Sequence, residues 1–213
     1  VPAEVLSDTV FSYVSDTKNP QGILAVVKRL EYTMEDVLGK SASKCEEKSG
    51  EKEKNPENHQ IRVPHVIVLD NLQDPGNLGT IFRTAEAAGA TGILLSSDSV
   101  DVYNPKVIRS TMGSVFRVPF FYTDDLEQTV LDLKARGIRV FAAHLAGKNN
   151  YEQEDYTGNT AFLIGNEGNG LTEKLSNLAD TWVKIPMAGK VESLNAAIAA
   201  SILMFETARQ RRA

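Results

Sequence analysis

From residue 62 to the end of the chain, the apolar positions switch repeatedly between two spacings. His65-Val66-Ile67-Val68-Leu69 is a continuous, β-branched apolar run, the pattern of a strand buried on both faces. Leu78, Ile81, Phe82, Ala85 and Ala88 then recur at three- and four-residue steps, which predicts a helix, and Gly89 stands where a left-handed C-cap would end it. The same alternation predicts a strand at 92–96, a helix near 105–111 and a strand at 117–121. It continues with a helix opened by Asp124 and Asp125, with Asp124 as the N-cap, and strands at 138–143, 161–165 and 182–185. A last helix from Ser193 to about Arg209 carries Leu194, Ile198, Ile202 and Phe205 on one face. Repeated βα alternation of this kind predicts an α/β fold, a mostly parallel sheet with helices on both faces.

The first sixty residues differ. A short helix within 2–13 and a buried strand at Ile23-Leu24-Ala25-Val26-Val27 are predicted, separated by the turn-forming Lys18-Asn19-Pro20-Gln21-Gly22. From Ser41 to Gln60 almost nothing is apolar and four lysines face five glutamates, so this stretch reads as a flexible charged linker. The chain is thus expected to divide into a partial N-terminal domain over 1–40, truncated because Val1 starts in mid-domain, a linker over 41–60 and a main domain over 61–213. Apolar residues make up 42% and charged residues 24%, close to globular averages, and no window approaches a membrane span or a signal peptide. Cys45 is the only cysteine, which excludes an intrachain disulfide and a thiolate cluster; the cytoplasm is the expected compartment. A formal charge of −5 restricts any nucleic-acid contact to a local basic patch.

Three segments rich in Gly, Asn and Pro fall where apolar strands end, the edge at which open α/β sheets bind ligands. They are Asp70-Asn71-Leu72-Gln73-Asp74-Pro75-Gly76-Asn77-Leu78-Gly79, Leu163-Ile164-Gly165-Asn166-Glu167-Gly168-Asn169-Gly170-Leu171, and the stretch from Val183-Lys184-Ile185-Pro186-Met187 to Ser193-Leu194-Asn195. Each alone is compatible with a turn or a helix cap. The glycine spacing is neither the dinucleotide fingerprint nor a P-loop, which argues against a nicotinamide oxidoreductase on the same βα scaffold. His59, His65 and His144 are scattered, and no metal is expected.

Together and in this order the segments resemble the three motifs of the SpoU (TrmH-like) branch of the SPOUT RNA methyltransferases, over roughly residues 64–209. The matching residues are Asn77-x-Gly79-x3-Arg83, Gly165-Asn166-Glu167-Gly168-x-Gly170-Leu171 and Ile185-Pro186-Met187 followed by Ser193-Leu194-Asn195. The resemblance implies a C-terminal trefoil knot, a homodimer with the site near its interface, and S-adenosylmethionine-dependent methylation of a ribose 2′-hydroxyl in ribosomal or transfer RNA, with ribosomal RNA preferred. A catalytically silent RNA-binding or ribosome-assembly module on the same fold is the alternative. Pro20-Gln21-Gly22-Ile23-Leu24-Ala25 resembles the end of the RNA-binding domain that often precedes this catalytic domain.

By the same resemblance Arg83, Asn77, Glu167, Ser193 and Asn195 are the catalytic set. Ala143, Gly165, Asn166, Gly170, Ile185, Met187 and Leu194 are the cofactor contacts, mostly through main chain, with the glycines letting backbone approach the ligand. Arg109, Lys106 and Arg117 are the candidates for RNA, ahead of the terminal Arg209, Arg211 and Arg212. A guanidinium stays protonated, so Arg83 is expected to hold the target phosphate and lower the hydroxyl pKa rather than act as a base. Ser193 and Asn195 both fall where the last helix begins, so N-cap duty competes with a site role for each.

Overall fold

The computed structural model describes residues 2–15, 19–39 and 62–212. The linker expected over 41–60 lies outside the described residues. The chain separates into two compact units, Val1–Glu31 and Tyr32–Ala213.

In the smaller unit a helix, α1, spans Asp8–Ser15. The strand expected over residues 23–27 does not form: Ile23, Val26 and Val27 are 87%, 94% and 63% exposed. β-branched composition suits a strand only where a neighbouring strand and a packed face are present, and this run has neither among the described residues of its unit.

The larger unit opens with α2 (Met34–Val37), closed at its N-terminus by a Thr33–Asp36 capping box. Val37 and Leu38 are fully buried against the sheet, so this stretch, expected with the N-terminal piece, packs with the main unit. After it come β1 (His65–Leu69), α3 (Pro75–Ala88), β2 (Gly92–Ser96), α4 (Pro105–Thr111), β3 (Phe120–Thr123), α5 (Leu126–Ala135) and β4 (Arg139–Ala143). β5 (Asn149–Asn150), β6 (Thr160–Ile164), α6 (Glu173–Leu178), β7 (Thr181–Lys184) and α7 (Ala196–Gln210) complete it. All seven strands pair in parallel, in the order β3-β2-β1-β6-β4-β7-β5.

One face of the sheet, including Ile67, Leu69, Phe141, Phe162 and Ile164, packs under α3 and α7; the other, including Val66, Val68, Leu94, Val140 and Leu163, packs under α2, α5 and α6. Three glycines are dictated by close approach rather than by turns. A Cβ on Gly92 would stand 2.7 Å from the Cα of Val37, one on Gly79 would stand 1.7 Å from the Ser110 hydroxyl of α4, and one on Gly147 would stand 2.8 Å from the backbone of Val183.

Other sequence expectations shift in detail. β3 begins three residues late because Pro119 has no amide hydrogen and the Val118 amide belongs to the 3-10 turn Ser114–Phe116, donating to Ser114 O. Asp125, not Asp124, caps α5, accepting from Gln128 N at 2.9 Å. α7 turns the opposite face inward from the one expected: Ala197, Ala200, Leu203, Met204 and Thr207 are buried, whereas Ile198 and Phe205 are 49% and 47% exposed. The small residues allow α7 to lie close on α3, where Ser201 Oγ meets Thr84 Oγ1 at 3.1 Å.

The C-terminal arginines are engaged within the chain rather than presented as a cationic tail. Arg211 gives its guanidinium to four main-chain carbonyls, Tyr156 (3.1 Å), Val63 (2.9 Å), Pro64 (2.9 Å) and Gly158 (2.7 Å), which ties the end of α7 to the segments leading into β1 and β6. Arg209 pairs with Glu206, and Arg212 donates to Ala208 O.

Candidate active site

The strand order reverses direction between β1 and β6. In an open parallel sheet such a switch point leaves a crevice at the carboxyl ends of the two strands, because the loops leaving them diverge. Both glycine- and asparagine-rich loops that leave this pair, 70–74 after β1 and 165–171 after β6, emerge here.

The first loop is held at every amide. Asp70 N donates to Ile164 O, Asn71 N to Ser96 Oγ, Leu72 N to Ser99 Oγ, Gln73 N to Glu167 Oε2 and Asp74 N to Glu167 Oε1. Asp74 then caps α3 by accepting from Asn77 N at 2.7 Å, with Pro75 at the first helical position, where a missing amide hydrogen costs nothing.

The second loop folds back on itself. Asn166 and Gly170 exchange both backbone hydrogen bonds, and Gly170 takes the left-handed φ of 70° that the reversal requires. A Cβ on Gly165 would lie 2.1 Å from the Gly170 and Leu171 backbone, so the missing side chain makes room for the loop itself. Asn166 is likewise engaged in shaping the loops: its Oδ1 accepts from Gly168 N and Asn169 N, and its Nδ2 donates to Asn71 O at 2.8 Å.

Three motif residues from distant parts of the sequence meet in one chain of hydrogen bonds. Asn77 Nδ2 donates to Glu167 Oε1 at 3.0 Å, Asn195 Nδ2 donates to Asn77 Oδ1 at 2.9 Å, and Asn195 Oδ1 accepts from Ala197 N and Ile198 N as the N-cap of α7. The polarity of this relay follows from chemistry. An ionised carboxylate only accepts, so Asn77 must turn its NH2 to Glu167, which leaves its oxygen for Asn195 and the Asn195 oxygen for the helix. Burial pushes the Glu167 carboxyl pKa up, but the hydrogen bonds from Asn77 and from the Asp74 and Gln73 amides outweigh it and hold the group below the usual range. Asp70, beside this network, is pushed up by burial, partly offset by the Thr172 amide.

The other two expected catalytic residues stand apart from the relay. Arg83 lies six residues beyond Asn77 on α3, about 9 Å further along the helix axis. It is exposed, and its guanidinium has no hydrogen-bond or ion-pair partner among the described residues. Ser193 is also exposed and without a partner among the described residues; helix capping falls to Asn195, so Ser193 does not cap α7.

The expected cofactor residues Ala143, Gly165 and Ile185 follow or end β4, β6 and β7, which are neighbours in the sheet. The backbone of 185–194 makes no hydrogen bond with any described residue, while Ile185, Met187 and Leu194 are half-buried. Unclaimed main-chain donors and acceptors beside apolar side chains suit an adenosine-bearing ligand, so these residues fit S-adenosylmethionine. His144 continues β4 by donating its amide to Val183 O and stacks on Trp182 with ring centroids 4.3 Å apart, stiffening this wall. Among the described residues no group of three His, Cys, Asp or Glu could hold a metal ion.

The RNA candidates are dispersed. Lys106 and Arg109 are exposed on α4, Arg109 touching Pro105 O through its Nε at 3.2 Å. Arg117 is paired with Glu86, whose carboxyl is pulled down to about 2 by that guanidinium and by the Ser114 hydroxyl. Sequence reasoning missed Ser96 and Ser99. The available signal was a polar Ser-Ser-Asp-Ser run directly after an apolar strand.

Residues 64–205 match the SpoU rRNA Methylase family. The chain is 33% identical over 201 residues to the 23S rRNA (guanosine(2553)-2′-O)-methyltransferase RlmP of Bacillus subtilis, covering 94% of this chain and 70% of that one. Among solved structures, the AdoMet-bound rRNA methyltransferase of Sinorhizobium meliloti superposes with a TM-score of 0.78 at 34% identity, over 95% of this chain and 70% of that one. The SpoU methyltransferase AviRb of Streptomyces viridochromogenes, in complex with AdoMet, gives 0.67 at 36% identity, over 72% of this chain and 63% of that one. The parallel sheet, the motif loops at its switch point and these similarities agree: the chain belongs to the SpoU rRNA methylase family.

Proposed function

We propose that this chain transfers a methyl group from S-adenosylmethionine to a ribose 2′-hydroxyl of ribosomal RNA. The observation that carries the reading is the Glu167–Asn77–Asn195 relay, which joins residues of all three motif segments at the switch point of the sheet. The bound sulfonium supplies an electrophilic methyl carbon and leaves as a neutral thioether, so the protein's task is orientation and electrostatics. Residues 185–194 and Ala143 hold the adenosine through main-chain groups. The protonated Arg83 guanidinium holds the phosphate next to the target ribose and stabilises the developing alkoxide, while the hydroxyl proton passes to solvent or phosphate. Asn77, fixed by Glu167 and Asn195, orients the ribose, and exposed Ser193 adds a hydroxyl at the mouth of the pocket.

Ile198, Ile202 and Phe205 form an apolar stripe on the outer face of α7, the kind of surface that a second copy covers. We infer a homodimer through this face, the C-terminal knot of the family and residence in the cytoplasm with the RNA. Residues 1–31 read as the end of an RNA-binding domain. Within the larger unit, Lys106, Arg109 and, once released from Glu86, Arg117 supply cations to RNA.

The test is incubation of the full-length protein with tritiated S-adenosylmethionine and ribosomal or transfer RNA from cells lacking the gene, followed by mapping of the alkali-resistant linkage. One ribosomal 2′-O-methyl position is expected. Labelling of transfer RNA only, or of a base, overturns the assignment.

A further inference from the structure

The end of β2 and the loop after it contribute no atom to the hydrogen bonds around Glu167, yet they grip the loop that does. Asn71 N donates to Ser96 Oγ at 2.8 Å, Leu72 N donates to Ser99 Oγ at 3.1 Å, and the two hydroxyls lie 3.0 Å apart. Both serines are 8% exposed. From the same segment Val100 N donates to Leu72 O, and Asp98 O accepts from Gln73 Nε2 at 2.7 Å.

We propose that Ser96 and Ser99 are positioning residues for methyl transfer, a buried hydroxyl pair that sets the loop Asn71–Asp74 and through it the relay of Glu167 and Asn77. The proposal rests on the methyltransferase reading of the site. Asn71 has a positive φ of 51°, a left-handed conformation that asparagine tolerates better than most residues and that its partners here hold in place. Its amide on Ser96 and its carbonyl on Asn166 fix both of its peptide planes. The backbone direction thus imposed aims the next two amides, Gln73 N and Asp74 N, at the two oxygens of Glu167. Without the hydroxyls the Asn71 and Leu72 amides are left buried and unpaired, and the cheapest relief is rotation of those peptides toward solvent. That rotation withdraws two of the groups that hold the Glu167 carboxylate, and Asn77 loses its fixed orientation with it. The S-adenosylmethionine wall, built from other segments, is untouched.

The experiment compares Ser96→Ala and Ser99→Ala with Thr91→Val in the full-length protein. Thr91 is the matched control: its buried hydroxyl accepts the His65 amide at 3.1 Å, at the opposite end of β1 from the site. Each variant is assayed well below its melting temperature for kcat on ribosomal RNA from cells lacking the gene, and for S-adenosylmethionine affinity by calorimetry. The serine variants are expected to lose kcat by roughly tenfold or more while cofactor affinity stays within about twofold, and Thr91→Val to lower the melting temperature alone. If Ser96→Ala does not fold, Ser99→Ala makes the same test through the adjoining amide. Serine variants that melt earlier but turn over at the wild-type rate overturn the proposal and leave the methyltransferase reading intact. A wild-type protein that transfers no methyl group overturns both.

Discussion

The loops 70–74 and 185–194 both leave strand ends at the carboxyl edge of the sheet, and they are opposites. In the first, every amide has a partner inside the protein; in the second, none does among the described residues. The difference separates two tasks. A group that must present fixed geometry to the reacting ribose is held beforehand by hydrogen bonds, because ordering it during the reaction would add to the barrier. A group that must wrap a cofactor keeps its donors and acceptors open, because the ligand is their partner. Arg83 and Ser193, unpaired and exposed, belong with the open set, and Asn77, Glu167 and Asn195 with the closed one.

The sharpest way to break this contrast is to remove the open guanidinium. Arg83→Ala is expected to lower kcat on RNA by about a thousandfold, on the order of 4 kcal/mol of transition-state stabilisation, with cofactor affinity unchanged; near-normal turnover would exclude its role. Hydrogen exchange addresses the two loops directly. Saturating S-adenosylmethionine is expected to slow the amides of 185–194 by about a hundredfold and to leave those of 70–74, protected already, nearly where they were. Equal exchange of the two loops in the free protein would contradict the contrast. Glu167→Gln tests the closed set, since an amide offers one accepting oxygen where the carboxylate offers two. A loss of about thirtyfold in kcat, with the cofactor still bound, is expected.

The smallest effect lies at the other end of β1. Burial first, then the Arg211 charge, lower the His65 pKa to about 3, and its Nε2 has no partner among the described residues. The unfolded chain therefore takes up a proton below about pH 6.5 that the folded one refuses until about pH 3. Stability falls as pH drops through that window, by about 1 kcal/mol between pH 7 and pH 5.5. Urea midpoints should show this slope, and His65→Leu should flatten it without altering cofactor binding.

The sheet was legible wherever a single apolar run answered to a single buried strand, as in β1 and β2, and the site was legible as motif residues. Its wiring was not. That Asn77 faces Glu167, or that Ser96 meets Asn71, depends on strand order, and strand order leaves no mark on local periodicity. α7 misled for a different reason. It is apolar on two faces, and side-chain bulk favoured Ile198 and Phe205, whereas close packing on α3 selects the alanines opposite. At Gly165 the sequence shows that something approaches closely but not what: on the side a Cβ would occupy it is the protein's own backbone.

Arg211 has a practical consequence for anyone who shortens this chain. Four of its five N–H donors occupy four carbonyls, a geometry that lysine, with three donors on a single nitrogen, cannot reproduce. A version ending at residue 210 would keep every motif and every strand, yet leave those acceptors bare where the tail meets the sheet, and should be poorly behaved in expression although nothing catalytic has been cut away.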